Sequence, residues 1–119
     1  MTAPGVRRLG PDTAIATLVQ SERADGRVVH VVPAGDDKAE TLRLFAEVLH
    51  FPDYFGHNLD ALWDCVRDVA ARQDGPWSLI WDGARFFAAA DPVTHDAIVD
   101  LLDDLARRHP AAHTIVVDR

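Results

Sequence analysis

Hydrophobic and polar positions change rhythm several times along the chain, and each change marks the border of an element. The start contains Pro4, Gly5 and Gly10, and within it Val6 to Leu9 can form at most a short edge strand. Ala14, Ile15, Leu18 and Val19 then recur at helical spacing. Asp12 or Thr13 can cap that helix, and Asp25-Gly26 should stop it. Val28, Val29, Val31 and Val32 make a nearly unbroken β-branched run over Arg27 to Val32, the pattern of a strand buried on both faces, closed by Pro33 and Gly35. Asp37, three residues before Glu40, resembles a capping box and opens a helix with the stripe Leu42, Phe45, Ala46 and Leu49, which ends at Phe51-Pro52.

A loop from Asp53 to His57 leads to Asn58, which can cap a helix running to about Arg72 and closed by Asp74-Gly75-Pro76. Trp77 to Trp81 reads as a strand and Asp82-Gly83 as a turn; Ala84 to Ala90 is ambiguous, and a short helix would fit it. Asp91-Pro92 opens a last helix with proline at its first position, and Ile98, Leu101, Leu102 and Leu105 mark its buried face. His113 to Val117 is the final strand. Strands thus alternate with helices. That order predicts an α/β fold: a small three-stranded parallel sheet, joined by helical crossovers and packed with about four helices. Residues 28–118 would form this core, and residues 1–27 would extend it with a helix and at most an edge strand. With 119 residues and no internal repeat, one domain is expected.

Charge narrows the function classes. Nineteen acids against twelve lysines and arginines give a formal net charge of −7. That balance argues against a nucleic-acid binder or a protein drawn to anionic membranes, and it suits a basic partner. No apolar run approaches the roughly 18–20 residues that cross a bilayer. Met1 to Leu9 carries two arginines with no apolar stretch after them, unlike a secretory leader, so a cytoplasmic address is the default expectation. The single cysteine, Cys65, cannot form an internal disulfide or a four-cysteine zinc site, and it reads as a packed or semi-exposed thiol with no histidine beside it in sequence. His30, His50, His95, His109 and His113 show no metal-ligand spacing, and no cofactor is expected. Trp77, Trp81, Phe86 and Phe87 read as core.

The helix from Asn58 to Arg72 carries the most information. At about 100° per residue, Leu59, Leu62, Trp63, Val66, Val69 and Ala70 share one face, expected to pack on the sheet. Asp60, Asp64 and Asp68 follow at intervals of four on a different face. Like charges at that spacing repel, and Arg67 is near enough in sequence to relieve them. Asp60 lies in the first turn, where the helix dipole favours an acid; Asp68 reads as a solvated residue; Asp64 lies beyond the dipole's reach. An aromatic loop, with Tyr54 and Phe55 beside Gly56, leads directly into this stripe.

Phe51 to Val66 reads FPDYFGHNLDALWDCV. These sixteen residues closely resemble the signature of the barstar family: a proline, an acid, two aromatics, glycine, one variable residue, then Asn-Leu-Asp-Ala-Leu-Trp-Asp-Cys-Leu. A looser resemblance covers Val28 to Val117. It implies a barstar-like fold and a non-enzymatic function. The loop and helix would enter the active-site cleft of a small secreted guanyl-preferring ribonuclease of the barnase type, one to one, and the chain would be a monomer when free. By the same resemblance Asp64 would occupy the phosphate site and Asp60 would meet an arginine on the base-recognition side. Tyr54 would cover the catalytic histidine, Gly56 would allow close backbone approach, and Asn58 and Trp63 would support the loop and helix. A further acid on the last long helix would be Asp104, with Asp103 competing. Departures from the pattern are His57 at the variable position, Phe55 where some members have a second tyrosine, and Val69 where a contact tryptophan occurs. Two other readings stay open: His57, Asp60 and Asp64 as ligands of a divalent metal in a phosphoesterase, and an immunity protein for a toxin nuclease of another kind.

Overall fold

The computed structural model describes residues 5–52 and 56–119. Along the chain run β1 (Arg7–Leu9), α1 (Ile15–Ala24), β2 (Val28–Pro33), α2 (Lys38–Leu49), α3 (Leu59–Ala71), β3 (Trp77–Asp82), α4 (Ala84–Ala90), α5 (Pro92–Arg108) and β4 (Ala112–Val117). The strands form one parallel sheet in the order β1-β4-β3-β2, so the expected three-stranded parallel sheet is present and β1 adds the edge strand beside β4. The ambiguous segment after Gly83 is helical; Phe87 on it is core, but Phe86 is 82% exposed, which corrects its reading as a core residue.

Both faces of the sheet are covered, and side-chain alternation along the strands sorts the core into two layers. Trp77, Leu79 and Trp81 of β3 and Ala112 and Val116 of β4 join Leu42, Phe45, Leu62, Val66, Phe87, Ile98 and Leu102 from helices α2 to α5. The intervening Ile80, Ile115 and Val117 pack instead with Leu18, Ile15 and Val19 of α1. The central strands β3 and β4 are therefore mostly apolar and buried, as a parallel sheet covered on both sides requires, with Ser78, His113 and Thr114 as polar positions within them. β2 also alternates, with Val32 in the large layer and Val29 and Val31 beside α1, but it lies at the sheet edge. Only Val32 in it is buried, and Val28 is 57% exposed, which corrects the expectation of a strand buried on both faces. A run of valines reports sheet propensity and cannot distinguish an inner strand from an edge.

Three of the five helix starts carry a side-chain cap; α1 and α4 do not. Asp37 accepts the Glu40 N–H at 2.8 Å and Asp91 accepts the Thr94 N–H at 3.1 Å. Glu40 does not reach back to complete a capping box; it pairs with Arg43 at 2.7 Å. At α1 the N-cap is Ala14, without a side-chain bond, and the Thr13 hydroxyl donates to the Gly10 carbonyl instead. Neither Asp12 nor Thr13 caps that helix. Among the described residues no helix is long and apolar enough to cross a membrane.

One buried acid fastens α1 to the sheet. Glu22 is 4% exposed; its Oε1 accepts from the Ser78 hydroxyl at 2.8 Å and lies 3.1 Å from His113 Nδ1. The Arg27 guanidinium stands 3.9 Å away, fixed by Ser78 Oγ and the carbonyls of Trp77 and Ala111. Burial pushes the Glu22 carboxyl up, but the bonds with Ser78 and His113 and the charge of Arg27 outweigh it and hold the group below the ordinary glutamate value. A carboxyl depressed in the folded state adds stability above its unfolded pKa, and that stability is lost as pH falls through the folded value. Glu22→Gln is therefore expected to cost about 2 kcal/mol at neutral pH. It should also flatten the loss of stability on acidification below about pH 4. Urea unfolding across that range checks both, and equal acid slopes in the two proteins would show that Glu22 does not carry the effect.

Candidate functional site: the acidic face of α3

The site begins with the cap of α3. Asn58 Oδ1 accepts the Ala61 N–H at 2.8 Å, and Asn58 Nδ2 donates to the Gly56 carbonyl at 3.4 Å. A side chain at Gly56 would place its Cβ 3.1 Å from Asn58 Nδ2, so glycine leaves the capping amide its room. His57 between them is exposed and holds a left-handed backbone, φ 51°, which few non-glycine residues adopt. Asn58→Ala should lower stability by about 1 kcal/mol, read from urea melts. A loss of only a few tenths would mean that the cap adds little. Tyr54 and Phe55, with Asp53, lie outside the described residues.

From this cap the helix separates two surfaces. Leu62, Cys65, Val66 and Val69 are buried. They join the core cluster that holds Trp77, Leu79 and Trp81 of β3, and α2 and α5 are the helices that flank α3 there. Val69, one of the departures from the family pattern, is 4% exposed and belongs to the core. Asp60, Asp64 and Asp68 are all exposed on the other side. Asp60 lies in the first turn, next to the positive end of the helix. The Asp64 side chain is 68% exposed and is engaged by one hydrogen bond, from Arg67 Nη2 to Oδ1 at 3.3 Å.

Trp63 connects this face to α5. It is half-buried, with the Arg67 guanidinium 5.4 Å from its ring centroid and that of Arg108 6.0 Å away. Arg108 in turn binds Asp104 at 3.0 Å, which brings Asp104 to the same side of the molecule as Trp63. Asp103 is committed elsewhere: it accepts from Arg107 Nε and from the Val6 N–H, both at 2.9 Å, and these bonds hold its carboxyl below the ordinary aspartate value. The stacking of Arg67 and Arg108 on Trp63 was not legible in the sequence. Arg67 was visible as a relief for neighbouring acids, but nothing in the local pattern ties Arg108 to a tryptophan far earlier in the chain.

Cys65 is buried on the inner side. Burial pushes its thiol up, and the charges of Asp68 and Asp64 add to this, so the thiol stays protonated at neutral pH and is a poor nucleophile. Among the described residues no group of three His, Cys, Asp or Glu side chains is placed to hold a metal ion, so His57, Asp60 and Asp64 do not converge as a ligand set.

These features define an acidic parallel α/β protein with three exposed carboxylates along the outer face of α3. The barstar family model, described as barstar (barnase inhibitor), matches residues 27–117, and the chain belongs to that family. The match covers β2 to β4 and with them the whole of α3; β1 and α1 precede it. A Bacillus subtilis (strain 168) protein named "Putative ribonuclease inhibitor YrdF" is 78% identical over 18 residues, which is 15% of this chain and 20% of that protein.

Proposed function

We propose that the chain inhibits a small secreted ribonuclease of the barnase type by inserting the α3 face, with the loop before it, into the enzyme's catalytic cleft. The single observation that carries this reading is the exposed, lightly engaged carboxylate of Asp64, mounted on a helix whose opposite side is locked in the core. Membership of the barstar family supports it.

The chemistry is substrate mimicry. A ribonuclease must hold a phosphodiester and stabilise further negative charge on it, so its cleft is strongly positive. A carboxylate at the phosphate position accepts the same charge-assisted hydrogen bonds, and accepts them in pairs from an arginine fork. Asp64 takes that position, Asp60 meets a basic group on the base-recognition side, and Asp104 makes a peripheral contact from α5. Tyr54 and Phe55 supply apolar contact, Gly56 allows close approach, His57 and Asn58 lie at the edge, and Trp63 supports the surface from behind. Because Asp60, Asp64 and Asp68 share one side of α3, they also form a directional field that speeds association at low salt.

Titration of the protein into several small secreted ribonucleases, followed by RNA cleavage, tests this. Activity should vanish at one-to-one stoichiometry for at least one of them, with association slowed as salt rises. Undiminished cleavage throughout the panel would refute it.

A further inference from the structure

We propose that Arg67 selects among ribonucleases, and that the enzyme this chain inhibits best carries an acidic side chain on its cleft rim opposite Arg67. The inference rests on the docking reading above and concerns the partner's chemistry at that same surface.

The α3 face is not uniformly acidic. On the Trp63 side of the acids the Arg67 guanidinium lies 5.4 Å from the Trp63 ring centroid and 3.3 Å from Asp64, with its side chain 47% exposed. Arg108 lies over the same ring at 6.0 Å and pairs with Asp104 at 3.0 Å. A cation held on an indole thus stands directly beside the acid assigned to the phosphate site.

This arrangement has a consequence for any visitor. An arginine remains charged under all ordinary conditions. When a cation of the enzyme takes Asp64, the long single bond from Arg67 is weakened or given up, while the indole still holds the guanidinium at the closing interface. A cation left there without an acceptor costs binding energy, and a cleft with an unbroken basic rim adds repulsion. An enzyme offering a carboxylate at that point removes both penalties and gains a charge-assisted pair. Arg67 would therefore act against generic basic clefts and in favour of one with a rim of mixed sign.

The test uses the ribonuclease that the chain inhibits most tightly in the panel, with Arg67→Gln, Arg67→Lys and Asp64→Asn inhibitors and with each rim carboxylate of the enzyme changed to its amide. Arg67→Gln should weaken inhibition at least about tenfold. Arg67→Lys should recover part of the loss, because it restores charge without the fork. One enzyme amide variant should be inhibited as poorly by the unaltered chain as by Arg67→Gln, which identifies the partner acid. If Arg67→Gln inhibits equally or more tightly while Asp64→Asn is severely impaired, the selectivity role is overturned and the docking reading stands. If Asp64→Asn is also without effect, the docking reading falls with it.

Discussion

Asp64→Ala should weaken inhibition more than any other single change on α3, by well over the roughly thirtyfold that marks an interface hot spot. The reason is geometric and electrostatic together. Asp64 stands beyond the first turn, so its charge contributes little to the helix itself, and most of its side chain is open to solvent. In the complex it would be the one carboxylate inside the enzyme's phosphate site, where truncation leaves the facing cations desolvated and unpaired. Asp60→Ala and Tyr54→Ala should follow in size, and Asp68→Ala should matter least, acting on the association rate and losing even that at high salt. Inhibition constants for the four variants against one ribonuclease give the order directly. Asp68→Ala equal to Asp64→Ala would reduce the site to a diffuse acidic patch.

The second large effect lies on the hidden side of the same helix. Leu62 is fully buried among the residues that hold α3 against its neighbours. Leu62→Ala removes that packing and leaves a cavity that the surrounding helices can fill only in part, at a cost of about 2–5 kcal/mol. Denaturant unfolding measures it. A loss below about 1 kcal/mol would mean that α3 can shift and refill the space, and a carboxylate row on such a helix would not be rigid. Leu62→Ala should separate stability from recognition: inhibition per folded molecule should fall far less than with Asp64→Ala, because Leu62 touches no visitor.

Most of the fold was legible because its signals are local. Asp37, Asn58 and Asp91 each cap a helix as their spacing indicates, and the alternation of strands with helices fixes a parallel sheet. The acidic stripe followed from helical periodicity alone, and its exposure agrees. What escaped depends on contacts distant in sequence. Val28 to Val32 look like an inner strand, yet their place at the sheet edge is set by which strands pair, and nothing in the run encodes that. Thr13 turned its hydroxyl to Gly10 instead of capping α1, a local competition between two bonds of similar strength. The apolar face of α3 shares the core with the sheet as its stripe predicts, but that α2 and α5 flank it there is not written in the stripe, which states only that it must be covered. Asp103 and Asp104, indistinguishable by periodicity, part ways because Val6 and Arg107 bind the first while Arg108 draws the second towards Trp63. Glu22, an ordinary helical glutamate in sequence, proves to be a buried anchor because α1 covers the second face of the sheet.

Competition with a nucleotide reports most directly on whether a carboxylate takes the place of RNA phosphate. Binding of the protein to a susceptible ribonuclease should be measured with the enzyme's cleft empty and then filled with guanosine 3′-monophosphate. Mutually exclusive binding is the expected result, with the apparent affinity falling in proportion to nucleotide occupancy. A stable ternary complex of enzyme, nucleotide and inhibitor would contradict it, because Asp64 would then lie outside the phosphate site.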